Sequence, residues 1–279
     1  MFERFGATEQ SGGEKEKDPA IARIRKFFEL QFNKIDVIGR ENITKIPKGK
    51  KVIVVTTHLS DRDVPLAIGM LGDEFESVGW AEASTHEKFR ENPGGYIGRK
   101  LSGSEHSYSV DTTKAGGAER GVFNPDDFEP MKEALSDGKT MFVAGYYKST
   151  NDWKLPDRGG YGAVLLAQTQ DTVLLPVAIN TKTKEQTGMG AHPLKAITQR
   201  PDVDVVIGEP FELGKIFGAE RMGEIMKSRK DGPLSKEDRE EFSSLSEKLR
   251  GESDVVMEHL AELLPEDKRG AWVKRGNSD

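Results

Sequence analysis

The sequence predicts an α/β fold, a mostly parallel central sheet flanked by helices. Three observations carry that expectation. Val52 to Val55 and Val173 to Ile179 are unbroken apolar runs of strand length, the pattern of strands buried on both faces. Segments of helical period separate such runs along the chain, and strands separated by helices imply a sheet covered on both sides. The 279 residues, 35% of them hydrophobic, suffice for one sizeable core.

Taken in order, residues up to about Asp18 are small and polar, with nothing to bury, and are expected to form a disordered tail (1–18). In 19–34, Ile21, Ile24, Phe28 and Phe32 recur at helical spacing beside the basic Arg23, Arg25 and Lys26, which predicts an amphipathic helix. Its apolar stripe is expected to pack on the domain. Docking on a membrane surface is the alternative, and the two are compatible if one edge stays exposed. The remainder, 35–279, reads as one α/β domain with a helical C-terminal part. Ile35 to Ile38 is a short strand, a turn follows at Pro47-Lys-Gly-Lys, and the strand ending before His58 leads through Pro65 into an apolar helix. Phe75 to Trp80 is a weak strand, and Glu87 to Leu101 is helical or irregular. Pro130 to Leu135 is a helix ending near Gly138, and Met141 to Ala144 is a strand. Ala163 to Ala167 lies in a helix. The alternation of Val203-Asp-Val-Val-Ile suits a strand in an outer position. Beyond Gly214 the composition turns to charged helix, with Lys227-Ser-Arg-Lys-Asp-Gly-Pro an exposed loop and Asp254 to Leu264 helical.

The absence of cysteine removes disulfides, thiolate metal sites and cysteine nucleophiles together. A formal charge of −6 argues against a general nucleic-acid binder. No apolar run reaches the roughly 18 residues a bilayer span requires, and the first residues lack the apolar core of a signal peptide. A cytoplasmic location is therefore expected, with peripheral contact at the membrane face.

The strongest functional signal is Lys51-Val-Ile-Val-Val-Thr-Thr-His58-Leu-Ser-Asp-Arg-Asp63, where a buried strand ends in a histidine and an aspartate follows five residues later. Catalytic groups in open α/β sheets gather at the carboxyl ends of strands. A short turn could bring the Asp63 carboxylate to one imidazole nitrogen of His58, leaving the other nitrogen to take a proton from a substrate hydroxyl. A metal site of His58, Asp61 and Asp63 is the competing reading, and Ser60 or Asp61 could instead cap the following helix. His86, His106, His192 and His259 have no partner at telling spacing and read as surface or capping residues. Arg62 faces either solvent or substrate, Tyr146 and Tyr147 read as wall residues, and the Ala115 to Gly121 stretch as a loop.

Four stretches in the same order resemble blocks of the glycerolipid acyltransferase family. The His58 to Asp63 segment resembles its His-x4-Asp signature. Leu174-Leu-Pro176-Val-Ala-Ile resembles a later strand with a central proline, Gly208-Glu-Pro-Phe the turn after the last strand, and Leu263-Leu-Pro-Glu-Asp-Lys-Arg-Gly270 the C-terminal segment. The likeness runs from about Ile35 to Trp272. In the third block, aligned with Phe142-Val-Ala-Gly145-Tyr-Tyr-Lys148, Gly145 is kept, while Ala144 stands at the glutamate position and Tyr147 at the arginine position. The arginine of the second block falls within Tyr108 to Lys114 or within Gly95 to Lys100.

The resemblance implies an acyltransferase of phospholipid biosynthesis. It would move a fatty acyl group from a thioester, acyl-CoA or acyl carrier protein, to a hydroxyl of a glycerol phosphate, lysophospholipid or related glycerolipid acceptor. No further cofactor is implied. His58 would be the general base oriented by Asp63, oxyanion donors would lie near Gly145, and Arg99, Lys114, Lys148 or Arg158 would hold the phosphate. Pro176 would be a structural residue near the site. The alternative is a catalytically degenerate lipid-binding protein, motivated by the missing Glu and Arg of the third block.

Overall fold

The computed structural model describes residues 18–60, 62–83, 106–110, 128–146, 153–182 and 200–277. Seven strands form one sheet: β1 (Lys34–Ile38), β2 (Lys51–Thr56), β3 (Val78–Ala83), β4 (Ser107–Val110), β5 (Thr140–Ala144), β6 (Thr172–Thr181) and β7 (Asp202–Ile207). Their order is β1-β7-β6-β2-β5-β3-β4. From β6 to β4 all pairs are parallel, whereas β7 runs antiparallel to β6 and β1 parallel to β7. The two strands at one side thus oppose the other five. The strand with the alternating pattern, β7, lies one place in from the edge. Val203, Val205 and Ile207 are buried on one face, and half-buried Asp204 pairs with Lys182 at 2.8 Å on the other.

The expected continuous strands take the sheet's interior because each side chain finds a layer of helices. Val54, Phe142, Leu175 and Val177 share one core with α1 (Pro19–Glu29) and α2 (Asp63–Leu71). Ile53, Val55, Met141 and Leu174 share the opposite core with α3 (Glu129–Ser136), α4 (Gly162–Gln168), α5 (Ala219–Asp231) and α6 (Lys236–Glu262). Helix α6 starts at Ser235, whose hydroxyl accepts from Asp238 N–H at 3.0 Å, a side-chain N-cap. It runs well ahead of the Asp254 start that apolar spacing alone suggested. The expected loop at Lys227 is corrected: Lys227 to Asp231 are the last residues of α5, and the break falls at Gly232-Pro233.

Helix α1 packs its apolar stripe on the domain. Ile21, Ile24, Phe28 and Phe32 are all buried against α2 and the sheet. Gly69 and Gly72 allow the close crossing, since a Cβ at Gly72 would stand 2.8 Å from Ile21. Arg25 is held by Gly69 O at 2.8 Å and by Asp73 at 2.8 Å. The apolar stripe is therefore part of the core, and among the large hydrophobics near it only Leu30 is widely exposed. No helix of the described residues is long and apolar enough to cross a membrane.

Candidate active site

The site forms where β2, central in the sheet, gives out between β5 and β6. Thr57 carries the chain past the strand end: its N–H donates to Val177 O at 3.1 Å and its hydroxyl accepts from Ile179 N–H at 2.9 Å. The same hydroxyl donates to Asp63 Oδ2 at 3.1 Å, and that oxygen also accepts from Leu59 N–H at 2.8 Å. Asp63 Oδ1 accepts from the Ser60 hydroxyl at 2.6 Å. The carboxylate thus grips the residues on either side of His58. His58 N–H donates to the Tyr146 phenol oxygen at 2.8 Å, and the two rings lie 6.2 Å apart. The imidazole is half-buried, with Nδ1 out of solvent.

Asp63 is fully buried. Burial pushes its carboxyl up to about 7, against the opposing pull of its hydrogen bonds from Ser60, Leu59 and Thr57. The sequence reading brought this carboxylate to an imidazole nitrogen. It accepts instead from Thr57, Leu59 and Ser60, because a four-residue turn closed by Ser60 O and Asp63 N–H directs the side chain back toward its own loop. The link from Asp63 to His58 therefore runs through the backbone of the turn.

Other expected residues fall out as follows. Gly145 is buried; its N–H donates to Thr56 O and its carbonyl accepts from Gly160 N–H, both at 2.8 Å. A Cβ there would stand 2.6 Å from Leu260 Cδ1. The N–H of Gly145 itself is thus engaged within the sheet, and the glycine allows close packing under α6. Arg158 is exposed on the loop that ends at Gly160. Pro176 lies in β6 opposite Val55, and its carbonyl accepts Gly208 N–H at 2.9 Å. Its missing donor falls just beyond the end of β7, where Gly208-Glu-Pro bows outward before Phe211 pairs again with Leu174. A side chain at Gly208 would meet Pro176 Cγ at 2.8 Å. Arg99, Lys114 and Lys148 lie outside the described residues, as do Asp61, Tyr147, His86 and His192, the Ala115 to Gly121 loop, Glu87 to Leu101 and the tail up to 17. His106 binds Val78 O at 3.2 Å and Asp18 at 3.0 Å, and His259 stacks on Phe211, so both hold structure together.

Three residues matter more than the sequence suggested. Tyr146, read as a wall residue, anchors the His58 backbone. Arg62 is only 4% exposed, on the turn itself. Lys268, inside the Leu-Pro-Glu-Asp-Lys-Arg-Gly segment, is half-buried and donates to Asn180 Oδ1 at 2.8 Å and Thr181 O at 2.6 Å. Burial pulls its ammonium below the ordinary lysine value, with Asp267, Asp63 and Asp204 opposing. With Trp153, Lys182 and Pro265 it borders a cavity of about 240 Å³ at the end of β6.

Fold and site together define an α/β protein with a histidine presented at the carboxyl end of the central parallel strand. No family model and no curated protein matches the chain. Among solved structures it is similar to the 1-acyl-sn-glycerophosphate acyltransferase PlsC from Thermotoga maritima, at 20% identity, covering 75% of this chain and 76% of that one, with a TM-score of 0.46.

Proposed function

We propose that this protein is an O-acyltransferase that moves a fatty acyl group from a thioester, acyl-CoA or acyl carrier protein, to a hydroxyl of a glycerol phosphate or lysophospholipid acceptor. The observation that carries the reading is the fixed presentation of His58. Its N–H is held by Tyr146, and its neighbours Thr57 and Leu59 are held by the buried Asp63 carboxylate. A general base needs its geometry set before its pKa matters, and this turn supplies the geometry. The ordered blocks that resemble the glycerolipid acyltransferases supply the substrate class.

In this mechanism an imidazole nitrogen of His58 takes the proton of the acceptor hydroxyl as its oxygen attacks the thioester carbonyl. The tetrahedral intermediate collapses with cleavage of the C–S bond, and the imidazolium returns the proton to the departing thiolate. No acyl-enzyme forms. Asp63 is a positioning residue that acts through Leu59 and Thr57, and with its carboxyl raised to about 7 it favours the imidazolium only in its ionised form. Reaching a membrane lipid would require peripheral contact, for which the exposed Arg23, Lys26 and Leu30 of α1 and its end are candidates.

The test is incubation of wild-type and His58→Ala protein with a long-chain acyl-CoA, then acyl carrier protein thioester, and a panel of hydroxyl acceptors, with thiol release and lipid products followed. A lipid ester made by wild type alone is the expected result. Full turnover by His58→Ala would overturn the mechanism, and acyl-chain binding without transfer to any acceptor would favour the degenerate lipid-binding protein.

A further inference from the structure

Strand β2 ends before its neighbour β6 does, and the row it leaves runs on past the His58 turn. The peptide groups of β6 point alternately to its two neighbours. Pro176 O accepts from Gly208 N–H and Lys182 N–H donates to Asp202 O, both at 2.9 Å, so the even-numbered residues face β7. Val177 O accepts from Thr57 N–H at 3.1 Å and Ile179 N–H donates to the Thr57 hydroxyl at 2.9 Å, so the odd-numbered residues face β2. By the same alternation, Ile179 O and both peptide groups of Thr181 face the row from which β2 has gone. Thr181 O is taken by the Lys268 ammonium at 2.6 Å. Among the described residues, Ile179 O and Thr181 N–H have no partner.

Both residues are buried, and buried peptide groups are almost always paired. A carbonyl and an N–H two residues apart on one side of a strand are the acceptor and donor that an added strand uses. There is room for one, because Thr181 borders the cavity of about 240 Å³ together with Lys182, Asp267 and Lys268. The charges around that cavity offset one another. Lys182 is held by Asp204 at 2.8 Å, and Asp267 stands against Lys268. Such a lining suits an uncharged polar chain better than a phosphate. The row also has a fixed starting point. Thr57 directly precedes His58, and two strand residues span about 7 Å, so the open edge leads from the His58 turn to the cavity.

We propose that this open edge of β6 binds the pantetheine arm of the thioester donor, the extended, uncharged chain with two amides that acyl-CoA and acyl carrier protein share. An amide N–H of the arm donates to Ile179 O and an amide carbonyl accepts from Thr181 N–H, as a strand residue would, with the thioester end at His58 and the far end in the cavity. This rests on the reading of His58 as the base of an acyl transfer, since that reading is what turns the sulfur end of the arm toward the turn. The donor is then recognised by what its two forms have in common.

The test presents one acyl chain on a simple alkyl thiol, on N-acetylcysteamine with its single amide, on pantetheine, on CoA and on acyl carrier protein, and follows transfer to the same acceptor. Each added amide is expected to raise kcat/KM about tenfold, the worth of roughly one hydrogen bond, with pantetheine, CoA and carrier thioesters comparable. Binding is read separately, by hydrogen exchange: free pantetheine is expected to slow exchange of the Thr181 amide. Thr181→Val keeps the N–H and should keep the gain from the amides. Thr181→Pro removes an N–H that the β7 ladder does not use, and should lose about tenfold with pantetheine thioesters and nothing with the alkyl thioester. Should the proline variant not fold, the donor series and the wild-type exchange still decide. Transfer indifferent to the amides, or Thr181 exchange unchanged at saturating pantetheine, would sink the inference alone. A CoA or carrier thioester about tenfold or more better than the pantetheine thioester would place recognition on the nucleotide or the carrier and overturn it too. Failure of the underlying reading looks different: pantetheine would protect Thr181, and no donor would give transfer.

Discussion

Asp63→Asn separates the two things the buried carboxylate does, holding a turn and carrying a charge. The amide is isosteric. Its oxygen can accept from Thr57 and Leu59 as Oδ2 does, and its NH₂ can donate to Ser60 Oγ, whose hydroxyl rotates to accept. The geometry of the turn should survive while the ionisation disappears. In the wild type the folded carboxyl titrates at about 7 against an ordinary 3.8. The folded state therefore keeps a proton that the unfolded chain releases between those values, and stability attributable to this group falls as pH rises through the window and levels off above it. At ~1.36 kcal/mol per pH unit the whole effect is about 4 kcal/mol, of which about 3 kcal/mol falls between pH 5 and 8. Urea denaturation of both proteins across that range gives the difference in unfolding free energy, in which any constant cost of the substitution cancels. The Asn variant should gain about 3 kcal/mol on the wild type between pH 5 and 8. A difference that stays flat would refute the claim that burial outweighs the three hydrogen bonds.

Other changes probe the frame around the turn. Tyr146→Phe removes the acceptor of His58 N–H, and leaving that donor unsatisfied should cost about 1–3 kcal/mol in chemical denaturation and lower kcat more than it raises KM. Gly145→Ala forces a methyl against Leu260 and should destabilise by about 1–3 kcal/mol; Leu260→Ala in the same chain should relieve part of that cost, so the double variant is more stable than the sum of the singles. Phe28→Ala, in the stripe of α1, should cost about 3–5 kcal/mol, and liposome flotation of the folded variant should be unchanged, since the ring faces the core. Gly270→Ala places a Cβ 2.4 Å from Leu155 O at φ +58, so it should loosen the C-terminal segment and increase its proteolysis.

Where the sequence announces the fold, it does so through pattern. Val52 to Val55 and Val173 to Ile179 read as interior strands because both faces of the sheet are covered, and a strand covered twice has no polar face to confuse it with anything else. Direction is harder to read. Nothing in Ile35 to Ile38 or Val203 to Ile207 signals that β1 and β7 run against the other five strands, since that follows from how the chain crosses the sheet. Helix ends are hard to read where the spacing of apolar residues stops before the helix does. The N-terminal part of α6 is polar between Lys236 and Glu241, and α5 ends in Lys227-Ser-Arg-Lys-Asp, whose charges read as loop until the Gly-Pro that follows is taken as the stop.

At the site, spacing located His58 and Asp63 on one turn but could not say which atoms meet. A carboxylate within reach of an imidazole is also within reach of the amides and hydroxyls of its own turn, and short loops favour those local partners. The burial of Arg62 was invisible for a related reason. In sequence an arginine between two aspartates looks solvated, because Asp61 and Asp63 offer to neutralise it, and only the fold reveals that Asp63 gives its oxygens elsewhere. The His58 backbone held by Tyr146, the buried Asp63 carboxyl and the buried Arg62 of the same turn have one physical property in common. Each is set in place by the fold itself, so the cost of arranging them falls on folding, and under the proposed function not on the reaction.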